Sequence, residues 1–158
     1  MIKYWNPLLK TALYTDTDVV VSFMEPKVVD YFLYAQDNST FLLEEFQTVL
    51  ETDKPQLVFF HFNEIHQAAL TYGYGSSNYL AAIQDVDTKI GTLLAYYQNA
   101  GIYSQTLVLL TSDHGGSGSV DGNINLASVE IPWIVSGPGN SIFLYLVSHY
   151  AVSNKTKN

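Results

Sequence analysis

Asp113 and His114 stand side by side just past the apolar run at 107–110, and Gly115 and Gly116 follow them. A carboxylate oxygen and an imidazole nitrogen are ligand types that a zinc-like ion accepts. The paired glycines permit a sharp turn and a close approach of the backbone to a ligand. Four uninterrupted apolar residues are too few for a helix and too apolar for a half-exposed strand. Residues 107–110 are therefore expected as a strand buried on both faces of a parallel sheet. In open α/β sheets ligands gather at the carboxyl ends of strands, which is where Asp113 and His114 fall. The same residues also fit a plain polar turn, with Asp113 capping the backbone and His114 exposed. The rest of the chain has to decide.

A second polar cluster has the same setting. Residues 56–62 read as a strand, and Asn63, Glu64, Ile65 and His66 follow at its carboxyl end. If the strand persists, alternation puts Glu64 and His66 on one face, with Glu64 as a further donor. His61, inside the apolar run, reads as a hydrogen-bonded core histidine, and His149 carries no assigned role. Asp85 and Asp87 read as solvated carboxylates on a helix.

The elements that would position these groups alternate. Residues 1–17 read as loop or weak helix, Asp18–Phe23 as a β-branched strand, and 27–34 as a helix opened by Pro26. Asp37, Asn38, Ser39 and Thr40 supply caps for an amphipathic helix with Leu42, Phe46, Val49 and Leu50 on one face, ended by Lys54-Pro55. A glycine-rich turn at 72–76 leads to the longest helix, Ser77–Asn99, which Ala100-Gly101 stops. A strand at 131–136 and a turn at 137–140 follow, and the tail matches no clean element. Strand, helix and strand in alternation predict an α/β sheet with right-handed crossovers.

Composition bounds the function. The 158 residues fit one domain with a proper core, and 47% are hydrophobic. Formal net charge is -8, from 15 acidic residues against 7 Lys and no Arg, so a nucleic-acid backbone has no basic patch to meet it. There is no Cys, so a zinc site must use His and carboxylates. No apolar run reaches the length of a membrane span, and the start has no apolar signal core.

The two clusters and the helix between them resemble the alkaline phosphatase superfamily, and within it the type I phosphodiesterase/nucleotide pyrophosphatase group and its sulfatase-like relatives. The matching motifs are Tyr72-Gly-Tyr-Gly-Ser76, Val86-Asp-Thr-Lys-Ile-Gly91, Thr111-Ser-Asp-His-Gly-Gly116 and Ile131-Pro-Trp-Ile-Val-Ser-Gly-Pro-Gly139, in an order and spacing more specific than any one of them. The resemblance implies an α/β three-layer sandwich with a mostly parallel sheet, present here as an incomplete alkaline-phosphatase-like fold over 1–139 with a divergent tail at 140–158. It implies a two-metal hydrolase, zinc being the expected cation, that acts on small phosphate or sulfate esters through a Ser or Thr nucleophile.

One metal in that pattern is held by a pair like Asp113-His114 together with an upstream Asp. That Asp and the nucleophile are expected in a segment before Met1. The other metal uses an Asp, a His four residues later and a third His; these positions carry His66, Leu70 and Asp121 here. Two readings follow. Either the second site is dead, because Leu70 cannot ligate, or its ligands are shuffled, with His66 and Asp121 approaching one ion and Glu64 assisting. The expectation is a fragment or degenerate member of the family, inactive on its own. The alternative is a non-catalytic binding or scaffold protein that reuses the fold.

Overall fold

The structure is a computed structural model and describes residues 4, 6–23, 28–121, 125–138 and 143–148. Its centre is a strand in the stretch expected as loop. β1, Thr11–Thr15, is buried at all five positions and lies between β2, Tyr31–Tyr34, and β3, Leu57–His61, in a parallel sheet of order β2-β1-β3. Register pairs Tyr14 with Leu33 on one side and with Phe60 on the other. The threonines of β1 hide its apolar character from a sequence scan. Burial tolerates them because their hydroxyls find partners: Thr11 Oγ1 donates to Asp30 Oδ2 at 3.1 Å, and Thr15 Oγ1 to the Thr17 carbonyl at 3.2 Å.

Two expected elements exchange type. Asp18–Phe23, expected as a strand, is the short helix α1, with none of its residues buried. The chain must reverse after β1 to run parallel in β2, which an extended segment cannot do. Thr17 and Asp18 start the turn, Thr17 Oγ1 accepting the Val19 N–H at 3.4 Å. Tyr31–Tyr34, expected within a helix, is a strand, in keeping with the preference of aromatic residues for a pleated, half-buried surface. The start of that expected helix lies outside the described residues.

α2, Ser39–Thr52, follows the sequence expectation. Asn38 caps it, its side chain accepting the Phe41 N–H, and Leu42, Phe46 and Leu50 are buried. α3, Glu64–Tyr72, is an added helix where a strand end and loop were expected. α4, Ser77–Asn99, has the expected bounds, is capped by Ser76, and ends before Gly101 at φ 70°. α2 and α4 pack on one face of the parallel sheet. Phe46 is the hub, with ring centroids 5.5 Å from Tyr14, 5.4 Å from Phe60 and 5.6 Å from Tyr97. Tyr14 and Phe60 stack at 4.7 Å.

β4, Val108–Thr111, is neither parallel nor buried on both faces. It pairs antiparallel with β7, Glu130–Ser136, which pairs antiparallel with β8, Phe143–Ser148, in the tail. Leu107 and Leu109 are 69% and 50% exposed, and Leu57 and Phe59 of β3 are 46% and 50% exposed. Both strands thus bury one face only, because the described residues place no layer over the other. A two-stranded ribbon of β5, Gly116–Ser117, and β6, Val120–Asp121, and the single turn α5, Leu126–Val129, lie between β4 and β7. Among the described residues the fold is α/β, with one small parallel sheet, one three-stranded antiparallel sheet and the two-stranded ribbon.

Candidate functional site

The two polar clusters meet in space. His66 lies on the first turns of α3 and His114 just past β4, and their rings stand edge to face with centroids 5.7 Å apart. Their meeting depends on the glycine-rich turn between α3 and α4. Gly73, at φ 90°, ends α3, and the Tyr74 N–H donates to the Gly118 carbonyl at 2.6 Å. The Tyr74 ring then lies so close to Gly116 that a Cβ there would come within 2.3 Å of it.

Both glycines after His114 make room for the chain's own packing. Gly115 donates its N–H to the Ser128 carbonyl at 3.0 Å, and a Cβ on it would sit 2.1 Å from the Ala127 carbonyl oxygen. The Tyr-Gly-x-Gly-Ser and Asp-His-Gly-Gly motifs fit into each other.

Two polar contacts of His114 are with its chain neighbours. Its backbone N–H donates to Asp113 Oδ1 at 3.0 Å, and its Nδ1 lies 2.9 Å from the Gly115 carbonyl oxygen. A proton on Nδ1 would satisfy that carbonyl and leave Nε2 as the lone-pair donor. Asp113 Oδ2 is 3.8 Å from Nε2, and the Asp113 side chain is 79% exposed.

Glu64 does not share a face with His66. The strand stops at His61, so the two residues sit two apart on a helix and diverge. Glu64 Oε1 instead accepts hydrogen bonds from Ser39 Oγ and from Lys89 Nζ, the latter at 2.6 Å, and Lys89 also reaches Asp85 Oδ2 at 2.6 Å. This clamp joins α3 to α2 and α4. Burial works against the charge on Lys89, but its hydrogen bonds to Asp85 and Glu64 prevail and raise its pKa. Asp85 is thus a partner rather than a purely solvated group, while Asp87 is exposed.

Leu70 sits four residues past His66 on α3, 41% exposed, where it offers no donor. Asp121 is brought opposite Gly116 in the β5–β6 ribbon, two residues from His114; its side chain lies outside the described residues, as does His149.

Sequence reasoning missed Asp16. This residue directly follows β1, beside His61, and its side chain is 0% exposed. Both carboxylate oxygens accept the Asn63 backbone N–H, at 2.9 and 3.0 Å. His61 Nδ1 lies 3.6 Å from Asp16 Oδ1, beyond hydrogen-bond distance. The one available signal was a carboxylate followed by Thr17 and Asp18, a common turn composition.

A zinc site needs three or four converging donors. Among the described residues no group of three or more His, Asp or Glu side chains could hold a metal ion. Glu64 is engaged elsewhere and Asp113 faces solvent, so the described donor set does not fit a resident zinc ion. What remains is a pair of imidazoles beside a solvent-facing carboxylate.

The chain is an α/β domain with His- and Asp-bearing clusters at the carboxyl ends of two strands. The chain belongs to the type I phosphodiesterase / nucleotide pyrophosphatase family, which matches it over residues 5–130, and with it to the alkaline phosphatase superfamily. A search among curated proteins returned no match. The family is generally metal-dependent and acts on phosphate esters. No helix among the described residues is long and apolar enough to cross a membrane.

Proposed function

We propose that this chain is a degenerate phosphodiesterase-type domain, derived from hydrolases of phosphate or, less commonly, sulfate esters, that does not hydrolyse such esters alone. Its fold would be the incomplete form of a three-layer alkaline-phosphatase-like sandwich, with 1–139 as the domain and 140–158 as a divergent extension. One observation carries this reading. His66, which stands where the family pattern has an Asp, meets His114 of the retained Asp113-His114 pair, while Glu64 is locked to Ser39 and Lys89 and Leu70 stands where the pattern has a His. Two imidazoles orient a cation without enclosing it, which weakens binding and leaves charge on a phosphoryl group unopposed.

The test is hydrolysis of a nitrophenyl phosphodiester by the purified chain with added zinc. The expected result is the rate of the blank. Turnover that Asp113→Ala abolishes would overturn the inactivity. The binding or scaffold alternative differs in predicting a folded protein whose melting temperature ignores both zinc and chelator.

A further inference from the structure

We infer that Asp16 is a positioning residue for the His66–His114 pair, acting through Asn63, the cap residue of α3. The inference takes its meaning from the reading of that pair as part of the altered family site, but it stands on geometry of its own. A carboxylate with a 0% exposed side chain is costly to bury unless hydrogen bonds hold it. Here the Asn63 N–H spans both oxygens. Asn63 is the cap residue of α3, is itself 8% exposed, and makes no side-chain capping bond. The negative end that a helix start favours comes instead from the end of β1, 47 residues earlier in the chain.

The consequence reaches His66 because it lies three residues past Asn63 on the same helix. Successive residues turn by about 100° around a helix axis, so an α3 that begins one residue early or late points His66 away from His114. The Glu64 clamp fixes how closely α3 lies to α2 and α4. Asp16 fixes where α3 begins. His61, whose Nδ1 faces Asp16 Oδ1 at 3.6 Å, is the titratable neighbour on β3.

The experiment is metal-free NMR on the full chain, reading the ring-to-ring nuclear Overhauser effect between His66 and His114 and the exchange rate of the Asn63 amide. In the unaltered chain that amide is expected to be protected like those of β1; an exchange rate matching the exposed turn at Gly75 overturns the inference. Asp16→Asn keeps an acceptor oxygen and is expected to keep the ring contact. Asp16→Ala is expected to lose the contact and to speed Asn63 exchange by about tenfold to a hundredfold, the effect of roughly one hydrogen bond to a charged group.

Leu50→Ala, which destabilises the core without touching α3, is the control and is expected to retain the ring contact. A contact that survives in Asp16→Ala, or is lost equally in Leu50→Ala, makes Asp16 merely structural and overturns the inference. If Asp16→Ala does not fold, the Asn63 amide and Asp16→Asn still decide: loss of the contact in Asp16→Asn also overturns it. Zinc titration of the unaltered chain tests the site reading separately, so the two can fail independently.

Discussion

The rings of His66 and His114 meet edge to face at 5.7 Å although 48 positions, from 66 to 114, separate them in sequence. Leu70 lies one helical turn beyond His66 on the same side of α3, and at 41% exposure it can be replaced without opening the core. Leu70→His is therefore expected to leave the melting temperature unchanged without metal and to add a third imidazole. At a zinc concentration about ten times the dissociation constant, the gain is about 1.4 kcal/mol, or roughly 3–6 °C. Differential scanning fluorimetry with zinc and then chelator checks this. A variant no more zinc-sensitive than the unaltered chain would show that a side chain at position 70 does not reach the pair.

Phe46 is fully buried and touches three aromatic rings. Phe46→Ala is expected to cost about 3–5 kcal/mol, through lost apolar burial and the cavity left among Tyr14, Phe60 and Tyr97. Urea denaturation measures this directly, and a loss below about 1 kcal/mol would mean that the three rings collapse into the space.

The two glycines after His114 differ in what opposes a side chain. At Gly115 the obstacle is a backbone carbonyl, whereas at Gly116 it is the Tyr74 ring. Gly115→Ala should therefore destabilise more than Gly116→Ala, since a ring can rotate and a hydrogen-bonded backbone cannot. Equal midpoints in parallel urea titrations would contradict the packing described around Tyr74.

Alkaline pH should unfold the protein. Burial pushes the Tyr97 hydroxyl from 10.0 up to about 12, burial also raises Tyr14, and the net effect at Lys89 is upward as well. A raised folded-state pKa means that the native state keeps protons which the unfolded chain releases, so stability is complete below pH 10 and falls as pH rises toward 12. Tyr97→Phe removes one of these groups and should flatten the decline. Urea midpoints measured from pH 8 to pH 11 would settle this, and a profile identical to that of the unaltered chain would exclude Tyr97 as a contributor.

β3 and β4 carry exposed apolar side chains at alternate positions, Leu57 and Phe59 on one and Leu107 and, within the strand, Leu109 on the other. Such rows favour association between chains. Phe59→Lys combined with Leu109→Lys is expected to shift size-exclusion profiles from aggregate toward monomer while circular dichroism stays unchanged. Persistence of the aggregate would place the sticky surface elsewhere.

The sequence by itself determined the helices with strong period and clear caps, Ser39–Thr52 and Ser77–Asn99, and it located the two polar clusters and the family they resemble. Those features are local: apolar spacing, a capping side chain and a stopping glycine act within a few residues of one another. Tertiary structure alone decided that Thr11–Thr15 is the central strand and that Asp18–Phe23 is a helix, because neighbouring strands and a chain reversal overrode local preference. It also decided that Glu64 serves Lys89 and Ser39, and that the Asp16 carboxylate accepts the Asn63 N–H at the start of α3. These outcomes depend on which groups burial leaves in need of a partner, and the partners come from elements up to 47 residues away.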